Sequence, residues 1–105
     1  MTIVRKIKDK KVNFEFNKEF IKVVTDKIAS NDAIFISNSF KEMHPADTAD
    51  IIEHLNEDDR EKLIKLNNFN IDPEVFVELN EAVQSEIIKY LSNESIVFIL
   101  KNLES

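Results

Sequence analysis

His44-Pro45-Ala46-Asp47-Thr48-Ala49-Asp50-Ile51-Ile52-Glu53-His54-Leu55, running on through Asn56-Glu57-Asp58-Asp59-Arg60-Glu61-Lys62-Leu63-Ile64-Lys65-Leu66, decides the fold. A residue that precedes proline is pushed out of the α region, so His44 ends one helix and helps start the next. Pro45 suits the first turn of that next helix, where its missing N–H costs nothing. Ile51, Ile52 and Leu55 then supply one apolar face. Asn56 offers a side-chain cap to a second helix, whose first turn holds Glu57, Asp58 and Asp59 at the positive end of the helix dipole. Leu63, Ile64 and Leu66 are its inward residues, while Lys62 and Lys65 stand within pairing distance of the acids.

The same pattern returns 24 residues later. Ile51, Leu55, Leu63 and Ile64 map onto Val75, Leu79, Ile87 and Ile88, Asn56-Glu57 maps onto Asn80-Glu81, and Lys65 onto Lys89. Repetition at this period indicates helical hairpins that share a core by stacking. Asp72-Pro73-Glu74 repeats the start signal of cap, proline and acid, followed by Val75, Phe76 and Leu79. Asn80 caps the next helix, which carries Val83, Ile87, Ile88 and Leu91. Ser92 caps the last, striped by Ile96, Ile99, Leu100 and Leu103.

Upstream, Phe20, Ile21, Val24 and Ile28 fall at helical spacing from Asn17 onward. A cap cluster, Ser30-Asn31-Asp32, separates that helix from one carrying Ile36, Phe40 and Met43. The spacing therefore predicts an all-α fold of about seven short helices. None is long enough to persist alone, so stacking must hold them. Residues 1–13 lack helical periodicity, Val12, Phe14 and Phe16 alternate, and residues 1–16 read as an extended or disordered basic lead-in. Residues 17–105 form the helical domain.

Composition agrees. The 105 residues include no glycine, two prolines and no cysteine. Hairpin turns and phosphate-cradling loops rely on glycine, so sheet-rich folds and nucleotide loops are disfavoured. Without cysteine there is no disulfide framework, thiol nucleophile or thiolate metal site. No apolar run approaches the ~20 residues of a membrane span, and the N-terminus lacks the apolar core of a signal peptide. A cytoplasmic setting is expected. Nor is there a nucleophile elbow or a zincin spacing, and an enzyme is not expected. The net charge is −6. Residues 1–11 contribute +4 of their own, leaving −10 for the remaining 94. Such a body repels nucleic acid and attracts cations.

The string His44-Pro45-Ala46-Asp47 into Ala49-Asp50-Ile51-Ile52-Glu53-His54-Leu55, with the copy that follows it, resembles the cytosolic N-terminal domain of the MgtE family of magnesium transporters. The resemblance spans residues 38–104 and implies a right-handed superhelix upstream of paired CBS domains and a dimeric pore domain. It also implies docking on those CBS domains when magnesium is high, through ions that bridge carboxylates and favour the closed pore. Membrane association would come only through the pore domain. The family continues with further helices where this chain stops, so the domain is expected to be incomplete at its C-terminal end. A related superhelix occurs in the middle domain of a flagellar motor switch protein, which keeps a metal-independent protein–protein adaptor as the alternative.

Glu74, through the Pro73-Glu74-Val75-Phe76…Leu79 alignment, matches an acidic position that the resemblance assigns to magnesium at the CBS-facing side. The other acids of that site would lie beyond residue 105, so magnesium should bind this chain only weakly by itself. The ordinary reading of Glu74 is a stabilised helix start. Asp47, Asp50 and His54 stand at i, i+3 and i+7, on one helical face, a spacing able to hold a divalent cation. A solvated face opposite Ile51 and Leu55 is the simpler account of those three.

Overall fold

The structure, a computed structural model, describes residues 18–104, and all regular secondary structure among them is helical. Residues 18–29 form α1. Then follow α2 (Ala33–Lys41), α3 (Pro45–His54), α4 (Glu57–Lys65), α5 (Pro73–Glu78), α6 (Glu81–Ile88) and α7 (Asn93–Glu104). The basic lead-in expected over residues 1–16 lies outside the described residues.

Each start signal forms its cap. The side chains of Asp32, Asn56 and Asn80 accept from the amides of Phe35, Asp59 and Val83 at 3.1, 2.8 and 2.9 Å. Asp72 accepts from Glu74 N at 2.8 Å, and Ser92 Oγ from Ser95 N at 3.1 Å. These bonds satisfy amides that the first helical turn leaves without a partner. His44 differs: it makes no side-chain cap and starts α3 through its extended backbone, with Pro45 in the first turn. In a chain without glycine, the left-handed turns fall to asparagine. Asn31 ends α1 at φ 60°, and Asn68 follows α4 at φ 71°. Asparagine tolerates that region better than other side chains.

α3 packs on α5 and α5 on α7, while α4 packs on α6. Every second helix therefore meets its counterpart in the next repeat, an alternation compatible with a superhelix. The repeat is visible in burial. Ile51 and Val75 are both buried, as are Leu55 with Leu79 and Leu63 with Ile87. Burying such side chains contributes on the order of 2 kcal/mol each, which holds helices of 12 residues or fewer that would be marginal alone. Phe69 and Ile71, in the link between α4 and α5, are also buried, and Phe69 meets Phe40 edge-on with ring centroids 6.1 Å apart.

The repeat fails at its far edge. Ile64 is 7% exposed and its counterpart Ile88 45%. Leu100 and Leu103, in the apolar stripe of the last helix, are 56% and 43% exposed. The reason is positional: α4 is covered by α6, but among the described residues no helix lies beyond α6 and α7.

Candidate functional site

Packing of α3 on α5 brings the starts of two helices together. Between them lies a recess of about 540 Å³, lined by His44, Asp47, Glu74, Val77 and Glu78 with Pro45 and Ala46. Pro45 fixes where α3 begins and Pro73 where α5 begins. Asp72, bonded to the amide of Glu74, sets the first turn that carries the Glu74 carboxylate. The recess thus gathers three carboxylates and one imidazole, with Asp47 half-buried and Glu74 and Glu78 exposed.

Glu74 also borders a larger groove of about 710 Å³. Its walls include Phe40 and Met43, the α4–α5 link and Phe98 from α7, with Thr48 at the α3 side. A residue on the ridge between two hollows is open to any body that covers either of them.

Asp47, Asp50 and His54 all stand on α3, at the spacing the sequence gives them. Asp47 lines the recess with Glu74, whereas Asp50 and His54 are exposed and lie outside it. His54 Nδ1 donates to the Asp50 carbonyl at 2.7 Å, so that ring nitrogen is occupied by its own helix. Among the described residues, no three His, Asp or Glu side chains stand close enough together to hold a metal ion. The recess alone therefore offers scattered carboxylates rather than a closed coordination shell. Magnesium keeps several of its waters and needs only one or two carboxylates from each surface, and this arrangement suits an ion shared with a second body.

The most constrained polar cluster was missed by the sequence reading. Arg60 of α4 and Glu86 of α6 form an ion pair, each side chain only about one-seventh exposed (13% and 14%). Arg60 Nε donates to both Glu86 oxygens at 3.1 Å, and Nη2 lies 2.9 Å from Oε1. Its Nη1 donates to three carbonyls at the end of α3: Leu55 at 2.6 Å, Glu53 at 3.1 Å and Ile52 at 3.4 Å. One guanidinium thus ties three helices and satisfies carbonyls that a helix end leaves unpaired. Tyr90 Oη donates to Glu86 Oε2 at 3.0 Å. Burial pushes the Glu86 pKa up, but the hydrogen bonds from Arg60 and Tyr90 and the Arg60 charge outweigh it, and the net shift is downward. Burial, then the bond to Glu86 and its charge, raise the Tyr90 pKa to about 12. Glu53 adds a further tie, its Oε2 accepting from Asn80 N at 2.7 Å. A lone arginine within the acidic run Glu57–Glu61 was the available signal.

No described helix is long and apolar enough to cross a membrane. Residues 43–105 match the protein family described as the MgtE intracellular N domain. No curated protein and no solved structure matches the chain. The family match begins beside the His44-Pro45 start and covers both 24-residue copies, the recess and the Arg60 clamp. The chain belongs to the MgtE intracellular N domain family, the N-terminal domains of MgtE magnesium transporters.

Proposed function

We propose that this chain is the magnesium-sensing regulatory domain of a transporter, lying at the inner face of the membrane and docking on CBS domains of the same protein. The shared recess of Asp47 and Glu74 is the observation that carries this reading. Magnesium held there by one or two carboxylates, with the rest of its shell from water and from acids of the CBS domains, stabilises the docked arrangement. Loss of magnesium leaves two acidic surfaces facing each other, and they separate. Regulation is then a population shift set by differential ion affinity between docked and free arrangements. No catalytic step is involved.

The test is association of this chain with CBS domains of the transporter, measured with magnesium and with a chelator. Binding that needs magnesium, and that weakens in Glu74→Gln, supports the reading. Binding indifferent to both overturns it. A metal-independent adaptor is the second reading, favoured by the exposure of Val97, Phe98 and Leu100 on α7. It requires binding that persists in chelator and fails when those side chains are made polar.

A further inference from the structure

The groove beside the recess combines an apolar lining with a charged rim. Phe69 and Ile71 are buried there, Phe40 and Met43 are half-buried, and Phe98 of α7 is 56% exposed. Lys41, at the end of α2, brings a positive charge to one wall. Asp72 and Glu74, at the start of α5, bring two negative charges to another, and all three side chains are exposed.

The sequence just ahead of α1 carries the complementary pattern. It reads Lys10-Lys11-Val12-Asn13-Phe14-Glu15-Phe16. Alternate side chains of an extended chain share one side, so Val12, Phe14 and Phe16 can be presented together. Two bases precede them, and an acid lies near the other end. From Lys11 to Glu15 such a chain covers about 13 Å.

Chain direction fixes which end goes where. Residues 30–32 link α1 to α2, and a link of that length joins antiparallel helices. The start of α1 thus stands beside the end of α2, at the Lys41 wall. Phe20 and Ile21, near that start, pack against the same core as Phe40 and Met43. Followed backwards from α1, the chain meets the α2 wall with Glu15 and the α5 wall with Lys11 and Lys10. Each charge then falls beside its opposite.

We infer that residues 10–16 seat in this groove as an extended strap, with Val12, Phe14 and Phe16 against its apolar lining. Glu15 lies beside Lys41, and Lys10 and Lys11 lie beside Asp72 and Glu74. A short tether supplies an effective concentration in the millimolar range, so an intrinsic dissociation constant of ~0.1 mM keeps about nine-tenths of the chains strapped. Seating needs neither magnesium nor CBS domains. The strap does meet the carboxylate that the proposed function gives to magnesium, so on that reading it competes with CBS docking.

The chain has no cysteine, so one nitroxide label can be attached through Asp9→Cys in the full chain. Paramagnetic broadening of amide signals, recorded in chelator, tests the strap. Broadening is expected at Asn70 and Glu74 as well as around the start of α1. Phe14→Ser with Phe16→Ser should reduce it at Asn70 and Glu74 at least threefold. Lys10→Glu with Lys11→Glu should do the same. All four positions lie outside α1 to α7, and unchanged amide shifts of the core would show each variant folded. Broadening confined to the start of α1 overturns the proposal, as does broadening of Asn70 and Glu74 that either double variant leaves unchanged. So does broadening that arises only between chains, in a mixture of nitroxide-labelled and isotope-labelled copies, because the groove then receives a second copy.

Discussion

Gln84 stands 24 residues after Arg60 and makes the equivalent bond. Arg60 Nη1 reaches back eight residues to the Ile52 carbonyl, and Gln84 Nε2 reaches back eight to the Phe76 carbonyl at 2.9 Å. Ile52 and Phe76 are themselves equivalent, so each repeat closes the end of its first helix with a long donor from its second. The repeats differ in what else the donor does: Arg60 also pairs with the Glu86 carboxylate.

That difference sets the size of two mutational effects. Arg60→Met leaves the largely buried Glu86 carboxylate with only the Tyr90 hydroxyl and takes the side-chain donor from the end of α3, and should cost about 3 kcal/mol. Gln84→Met removes one neutral hydrogen bond and should cost about 1 kcal/mol. Urea unfolding of both variants provides the comparison. Equal losses would mean that the ion pair contributes nothing beyond the shared carbonyl contact.

Tyr90 offers a direct view of the clamp, because the chain has one tyrosine and no tryptophan. Ultraviolet titration of tyrosinate should give a midpoint at about 12, against an ordinary 10.0. In Glu86→Gln the midpoint should fall toward the ordinary value. The sign follows for stability: with its folded pKa raised, Tyr90 stabilises fully below pH 10 and loses that contribution as pH rises toward 12. A wild-type midpoint at the ordinary value would show that Tyr90 and Glu86 are not bonded in solution.

Glu86 acts at the acid end. Its folded pKa lies below the ordinary 4.5, so the unfolded chain takes up the proton first as pH falls. The stabilisation is present above pH 4.5 and is lost as pH drops through the folded value. Unfolding free energy measured against pH should therefore decline less steeply below 4.5 in Glu86→Gln than in the parent. Identical slopes would remove Glu86 from the acid response.

Thr48 is buried in α3, and among the described residues its hydroxyl oxygen has no hydrogen-bond partner. A buried hydroxyl in that state carries its desolvation cost uncompensated. Thr48→Val keeps the shape and removes the polar atom, so stability should rise by about 1 kcal/mol. A lower thermal midpoint for the variant would show that the hydroxyl is bonded in solution.

The helices were legible because their signals are local. Prolines at 45 and 73, the caps at Asp32, Asn56, Asp72, Asn80 and Ser92, and apolar spacing each act within one or two turns. The inward face of the first copy was equally clear, and Ile51, Leu55 and Leu63 are buried as read. Ile88, Leu100 and Leu103 misled because an apolar side chain specifies a wish for cover, whereas burial depends on a neighbour the pattern does not contain. Phe69 and Ile71 were overlooked for the converse reason: they sit in a link with no helical period. For the site, spacing along α3 grouped Asp47 with Asp50 and His54. The meeting of Asp47 with Glu74 crosses between helices and depends on how α3 and α5 pack. Arg60 and Glu86, 26 positions apart, were hidden in the same way.

Amide chemical shifts of the isotopically labelled chain, recorded with CBS domains present and titrated with magnesium, address the central claim. Docking through the recess predicts shifts centred on Asp47, Glu74 and Glu78 that appear with the ion and vanish when it is chelated. Shifts of equal size in chelator, or shifts confined to other surfaces while these three stay silent, would contradict it.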